Sequence, residues 1–337
     1  MKVLVTGGAG FIGSHLAHYH LNQGDTVLAI DDLSTGNLRN VAALQHYSRF
    51  EFQKACVVDW ARLDKAVARA DRVYHMAAVV GMFRVLKQPV EVTRVNVVGT
   101  ERVLHAAARA RRKPQVVIPS SSSVYGTGCR TELREDVELA MTPGAPLLNY
   151  ALSKLSNEVQ GRAYFDKYRV PVVMARLFNT VGRRQCGLYG FVVPRFVQQA
   201  LAGTPISVFG DGNQTRSFCD VRDTVAMLDA LAATPAAYGK VVNVGNAQEI
   251  RICDLAKLVI QRAQSSSVMA FIPYEQAYGQ HFEHIPQRRP VLDRLRELTG
   301  YRHRWTLEQT LDDLILAYRT PARRRGHTIR QAHAEAR

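Results

Sequence analysis

The 337-residue sequence holds only five cysteines, Cys56, Cys129, Cys186, Cys219 and Cys253, and no two of them have C-x-x-C spacing. An odd, scattered set gives neither a disulfide framework nor a zinc-ligand pattern. No apolar run approaches the roughly 18–20 residues that a membrane helix needs. The first ten residues, MKVLVTGGAG, turn glycine-rich before an apolar leader region can form. A cytoplasmic protein is expected, with no membrane partner and no metal. Acidic residues are scarce as well. Asp and Glu total 29 against 44 Lys and Arg, a net charge of +15, of which +5 lies between Arg319 and Arg337. Such a field suits nucleic acid, a membrane surface or a small phosphorylated ligand. The basic residues are dispersed and no aromatic-basic RNA motif accompanies them, so an anionic small ligand is expected and nucleic acid is not.

What is present is an ordinary core-forming composition, 47% apolar and 22% charged, arranged in alternating strand and helix patterns. Lys2–Thr6 reads as a buried strand, and GGAGFIG follows it. A helical pattern then runs from Phe11 to a stop at Gly24, and Thr26–Ile30 is a second strand ending at Asp31 and Asp32. Strands are expected at 71–75, 115–119 and 170–178, with helices at 95–110 and 149–167. This alternation predicts right-handed βαβ units, a doubly wound parallel sheet with helices on both faces. After residue 178 glycine and proline become frequent and the elements shorten. The expected division is a dinucleotide-binding domain over 1–178 and a smaller α/β domain over 179–318, with some chain crossing back. A basic, disordered tail over 319–337 completes it.

Gly7, Gly10 and Gly13 form G-x-x-G-x-x-G with its required context: a strand before, a helix after, and an acid at the end of the next strand. Backbone N–H groups at such a turn can approach a pyrophosphate at a helix N-terminus. Asp31 can accept from the adenosine ribose hydroxyls, and with Asp32 it would repel a 2′-phosphate. NAD is therefore expected over NADP. Tyr150 and Lys154 stand one turn apart on a predicted helix face. An ammonium beside a phenol lowers its pKa from about 10, making Tyr150 a candidate general base.

The motifs TGGAGFIG (6–13), DDLSTGN (31–37), HMAA (75–78), NVVGT (96–100), SSSSVYG (120–126), YALSK (150–154), RLFNTVG (176–182) and GDGNQTRSF (210–218) extend this pattern along the chain. Together they resemble the extended branch of the short-chain dehydrogenase/reductase superfamily, the nucleotide-sugar epimerases and dehydratases, from Met1 to Tyr318. The resemblance implies Ser121 as the hydroxyl partner of Tyr150 and Lys154. It places Gly7, Gly10, Phe11, Ile12, Gly13, Asp31, Asp32, Ser34, Thr35, Gly36, Asp59, Ala77, Ala78 and Asn96 at NAD, with Cys56 where the family has an adenine-reading Asp. Ser122, Ser123, Asn179, Val193, Arg216 and Arg288 are implied at the nucleotide-diphosphate sugar, UDP being the family's commonest form. Homodimerisation through the Y-x-x-x-K helix and the preceding long helix is also implied. His75 is expected to be structural or to line the cofactor pocket.

In the family, sugar 4,6-dehydratases carry Asp-Glu after the catalytic hydroxyl residue and UDP-glucuronate decarboxylases carry Ser-Glu. Here both positions are serine. The run thus resembles the 4-epimerases, and the expected activity is NAD-dependent 4-epimerisation of a UDP-hexose, UDP-hexuronate or UDP-N-acetylhexosamine by transient C4 oxidation and hydride return. Residues 176–196 resemble a branch that also contains decarboxylases. A decarboxylase or dehydratase of the same substrates is the alternative, and a catalytically idle NAD-binding scaffold a remote one.

Overall fold

A computed structural model of the chain describes residues 1–126, 132–139, 141, 148–187, 191–278 and 285–319. The expected basic tail lies, from residue 320, outside the described residues. The first half runs β1 (Lys2–Thr6), α1 (Phe11–Asn22), β2 (Thr26–Asp31), β3 (Phe50–Lys54), α2 (Leu63–Arg69), β4 (Arg72–His75), α3 (Met82–Lys87) and α4 (Pro89–Thr93). A π-helical turn, Arg94–Val98, then leads into α5 (Gly99–Arg109), β5 (Gln115–Ser121), α6 (Leu148–Tyr168) and β6 (Val172–Leu177). The remainder is β7 (Thr180–Val181), α7 (Val192–Ala202), β8 (Ile206–Phe209), β9 (Thr215–Ser217), β10 (Cys219–Asp220), α8 (Val221–Ala233), β11 (Val241–Val244), β12 (Glu249–Arg251), α9 (Ile252–Ala263), β13 (Met269–Ile272), α10 (Tyr274–Tyr278), α11 (Asp293–Thr299) and α12 (Leu307–Arg319).

Seven parallel strands form the main sheet in the order β11-β6-β5-β4-β1-β2-β3. Strands buried on both faces need apolar residues at every position. Successive side chains of β1 and β6 accordingly enter opposite cores. Val3, Val5, Val173 and Ala175 pack with Leu16 and Leu21 of α1 and with Leu228 and Leu231 of α8. Leu4, Val172 and Met174 pack with Leu63 and Val67 of α2 and Leu104 of α5. The result is a three-layer sandwich. A third core, Phe196, Val208, Leu255, Val259 and Leu314 among its members, joins α7, β8, α9 and α12. Three two-stranded pairs, β7–β10, β9–β12 and β8–β13, complete this smaller unit.

From the later part of the chain, β11 is an edge strand of the main sheet, and α8 and α11 cover one of its faces. The helix expected to begin at residue 95 starts irregularly, as the π turn around Asn96. Strand order reverses between β1 and β4, which opens a crevice beyond their carboxyl ends, where doubly wound sheets bind ligands.

Candidate active site

A cleft of about 1540 Å³ opens at that reversal and continues beneath the smaller unit. Pockets for one small ligand hold roughly 300–1,000 Å³, so this one has room for a dinucleotide and a second ligand together. Its floor is the β1–α1 turn. Gly7 sits at φ +67°, and a Cβ there would stand 2.7 Å from the Ala77 nitrogen. A Cβ on Gly13 would run into the Gly7 carbonyl oxygen. Only glycine lets the turn, α1 and the loop after β4 come this close. The turn, with Phe11 and Ile12, leaves a backbone cradle at the start of α1, the kind of surface a pyrophosphate needs.

Asp31 ends β2 at the cleft wall. Its Oδ2 accepts from the Ala9 N–H at 3.0 Å and its Oδ1 from the Leu33 N–H at 2.8 Å. Burial raises its pKa, and those backbone donors work in the opposite direction. Asp32 is exposed and accepts from the Ser34 N–H at 2.8 Å. Ser34, Thr35, Gly36, Ala77 and Ala78 line the same end, as do Ala55, Cys56 and Val57. The family-implied Asp59 does not. It is exposed, 66% at the side chain, and pairs with Arg94 at 3.2 Å. Nor does Asn96 line the cleft. Fully buried behind the cleft, it accepts from the Val79 N–H at 2.7 Å and donates to Ser153 Oγ at 3.1 Å, tying the post-β4 loop to α6. His75 is buried between Thr6 Oγ1 (2.8 Å) and Thr100 Oγ1 (3.1 Å), and burial with the Lys154 charge lowers its pKa to about 3.

Ser121 leaves β5 at the reversal crevice, and α6 brings Tyr150 and Lys154 to it. Ser121 and Tyr150 both line the cleft there. Lys154 Nζ donates to the Pro119 carbonyl at 3.0 Å and lies 5.9 Å from the Tyr150 ring centre. Burial raises the Tyr150 pKa, and the Ser121 hydroxyl works against it. Burial also lowers Lys154 to about 8. Ser122 lines the cleft, whereas Ser123 does not. The Ser123 N–H donates to Ser121 Oγ at 3.2 Å, and its own Oγ is buried without a partner among the described residues.

On the far side Asn179, Val193 and Arg216 line the cleft. Arg288 lies just behind, donating to the Gly126 carbonyl at 2.8 Å. Burial and the neighbouring Arg216 lower its pKa to about 10, a repulsion that a bound diphosphate would relieve. Sequence reasoning did not single out Arg84, Arg183, Arg184 or Arg195, which also line the cleft. Arg184 holds φ +70° and has a buried Nη1 with no partner among the described residues. Two consecutive arginines just after RLFNTVG were the available signal. Acidic lining is sparse: Asp31 and Asp32 at the glycine-turn end, and Glu91, which bonds Arg94 at 2.7 Å.

A doubly wound sheet with a glycine turn, a strand-end acid and a Ser–Tyr–Lys group at the crevice defines a dinucleotide-dependent enzyme acting on a second, anionic ligand. Residues 3–245 match the NAD dependent epimerase/dehydratase family, and the chain belongs to that family. Its cofactor is NAD, and the glycine cradle and Asp31 fit it. The chain is 32% identical to the UDP-N-acetyl-alpha-D-glucosaminuronate decarboxylase of Bacillus cytotoxicus over 94% of this chain and 98% of that protein. It is also 32% identical to UDP-glucuronic acid decarboxylase 2 of Arabidopsis thaliana, over 95% of this chain and 68% of that protein. Among solved structures, UDP-glucuronic acid 4-epimerase from Bacillus cereus in complex with UDP-glucuronic acid and NAD has a TM-score of 0.84 at 27% identity, covering 95% of this chain and 99% of that one.

Proposed function

We propose that the protein oxidises a UDP-hexuronate at C4 and lets the resulting 4-keto acid lose CO₂, acting as a nucleotide-sugar decarboxylase. The observation that carries this reading is the likeness, over 94–95% of this chain, to decarboxylases of UDP-uronates, joined to a cleft rich in arginine and poor in acid. A hexuronate brings a carboxylate besides the diphosphate, and arginine suits both groups. Bound NAD would supply the oxidant for the C4 alcohol and, later, the reductant for the ketone. Tyr150 would take the C4 hydroxyl proton, Ser121 would hold the phenolic oxygen, and Lys154 would keep a positive charge beside it.

The Ser-Glu pair of the family's UDP-glucuronate decarboxylases is replaced here by two serines, but breaking the carbon–carbon bond does not itself need that carboxylate. Once C4 is a ketone, the C6 carboxylate is β to a carbonyl. The C5–C6 electron pair passes into that carbonyl as CO₂ leaves, and C5 afterwards takes a proton. Serines at 122 and 123 therefore weigh against dehydration, which needs a base for C5 and an acid for the departing oxygen, and leave decarboxylation open.

The same serines favour a second reading, 4-epimerisation of the UDP-hexuronate. Mass spectrometry of the enzyme incubated with UDP-glucuronate separates the two. A UDP-pentose lighter by CO₂ is expected; an epimer of unchanged mass as sole product would make the second reading the right one. A homodimer is also proposed. Leu152 and Val159 lie seven residues apart on α6, 46% and 63% exposed, with Val98 at the end of the π turn before α5 43% exposed, and an apolar stripe of this kind supports packing against a second copy.

A further inference from the structure

A buried ion pair stands directly behind the serine run. Arg176 on β6 and Glu158 on α6 are 4% and 5% exposed. They meet fork to fork, Nε donating to Oε1 and Nη2 to Oε2, both at 2.8 Å. Glu158 Oε1 also accepts from Ser120 Oγ at 2.5 Å, and Ser120 is the residue before Ser121. At the other end of the run the Arg176 guanidinium lies 4.7 Å from the ring centre of Tyr125, whose hydroxyl donates to Asn243 Oδ1 at 2.7 Å. One ion pair thus grips the segment 120–125 at both ends. Between the grips, Ser121 lines the same cleft as Tyr150.

Glu158 is also one helical turn beyond Lys154. Its carboxylate therefore ties the helix that carries Tyr150 and Lys154 to the strand that carries Ser121. Stability alone is a poor reason for such a pair, because well-packed apolar residues often do as well in its place. Fixing one position is the better reason. Catalysis is sensitive to it, since a misplacement of about 1 Å can cost about 10²-fold in rate.

We propose that Glu158, held by Arg176, is a positioning residue that keeps Ser121 in place in the cleft with Tyr150. This rests on Tyr150 being the general base. Tyr150 is faced by Ser121 from β5, by Lys154 from its own helix, and by the apolar Val79, Val85, Val92 and Val95 from the post-β4 loop, α3, α4 and the π turn. Loosening Ser121 takes away the hydroxyl that works against the burial of the phenol, so Tyr150 should ionise at higher pH.

The test uses the NAD-loaded full chain with Glu158→Gln and Ser120→Ala, the second removing a single hydroxyl and keeping the ion pair. The phenolate of Tyr150 is titrated by ultraviolet difference absorbance, each spectrum taken against the same protein with Tyr150→Phe. Turnover of UDP-glucuronate is measured in parallel. Both variants should titrate at higher pH than wild type, with kcat down about 10–100-fold for Glu158→Gln, less for Ser120→Ala, and KM within about twofold. Should Glu158→Gln fail to fold, Ser120→Ala carries the test alone. An unmoved titration in the folded variants overturns the proposal while leaving Tyr150 as base. Full turnover by Tyr150→Phe overturns both.

Discussion

Tyr150 is a phenol that its surroundings push toward neutrality, and Lys154 is an ammonium pushed the same way. Burial raises the first and lowers the second to about 8. Lys154 is therefore charged below about pH 8 and loses its proton above it, within a range where the enzyme can be assayed. The expected outcome is a kcat/KM that falls as pH rises through about 8, with Lys154→Arg slower overall but free of that decline. A flat profile to pH 10 would assign the positive charge beside Tyr150 to another group. Stability has the opposite sign. Between about 8 and the ordinary lysine value of 10.5 the unfolded chain binds more protons, so the folded protein gains stability with rising pH there. At this scale the sequence was legible where chemistry is local: the glycine turn, the strand-end Asp31 and the Tyr–Lys spacing all reach the cleft. It was not legible where direction decides. Spacing cannot show that Asp59 turns out to Arg94, that Asn96 braces a loop from behind, or that Ser123 offers Ser121 its backbone and not its hydroxyl.

Among the elements, α6 carries the most. It is 21 residues long and bears Tyr150, Lys154 and Glu158 along one run. Its approach to the sheet is set by Gly161, where a Cβ would lie 2.6 Å from Met174 Sδ and 3.6 Å from Ile118 Cδ1. Gly161→Leu overfills that contact. It should destabilise the fold by about 1–3 kcal/mol, read from chemical denaturation. Turnover should fall as well, because the whole helix must shift outward. Unchanged stability would mean that the helix sits less tightly than the packing indicates. The parallel core strands were readable from their β-branched runs. β3 was harder, since its sequence FEFQK is half-buried and mixes polar with aromatic residues at the edge of the sheet. The place of β11 was unreadable for another reason. Its residues declare a strand, but only tertiary pairing with β6 places it beyond the expected domain boundary. The π turn at Asn96 hides inside a helical pattern because it spans only Arg94–Val98, too short a stretch for a change of period to show in the sequence.

Across the whole molecule, the two-unit arrangement puts a cationic wall opposite a nucleotide-binding sheet, and the net charge of +15 matches a ligand carrying several negative charges. No helix among the described residues is long and apolar enough to cross a membrane. The dimer proposed through α6 predicts that Val159→Asp, which places a charge in that apolar stripe, converts the protein to monomer in sedimentation. A wild-type monomer would rule it out.

The central claim is that CO₂ leaves a C4-oxidised UDP-hexuronate within this cleft. Decarboxylation empties a bond at C5, which must then be filled by a proton drawn from solvent-exchangeable groups. Epimerisation at C4 leaves the original C5–H untouched. Running the reaction on UDP-glucuronate in D₂O and reading the product by proton NMR tests this directly. The account predicts a UDP-pentose carrying deuterium at C5, with one CO₂ released per product. A six-carbon UDP-uronate epimer that keeps hydrogen at C5, with no CO₂ formed, would contradict it.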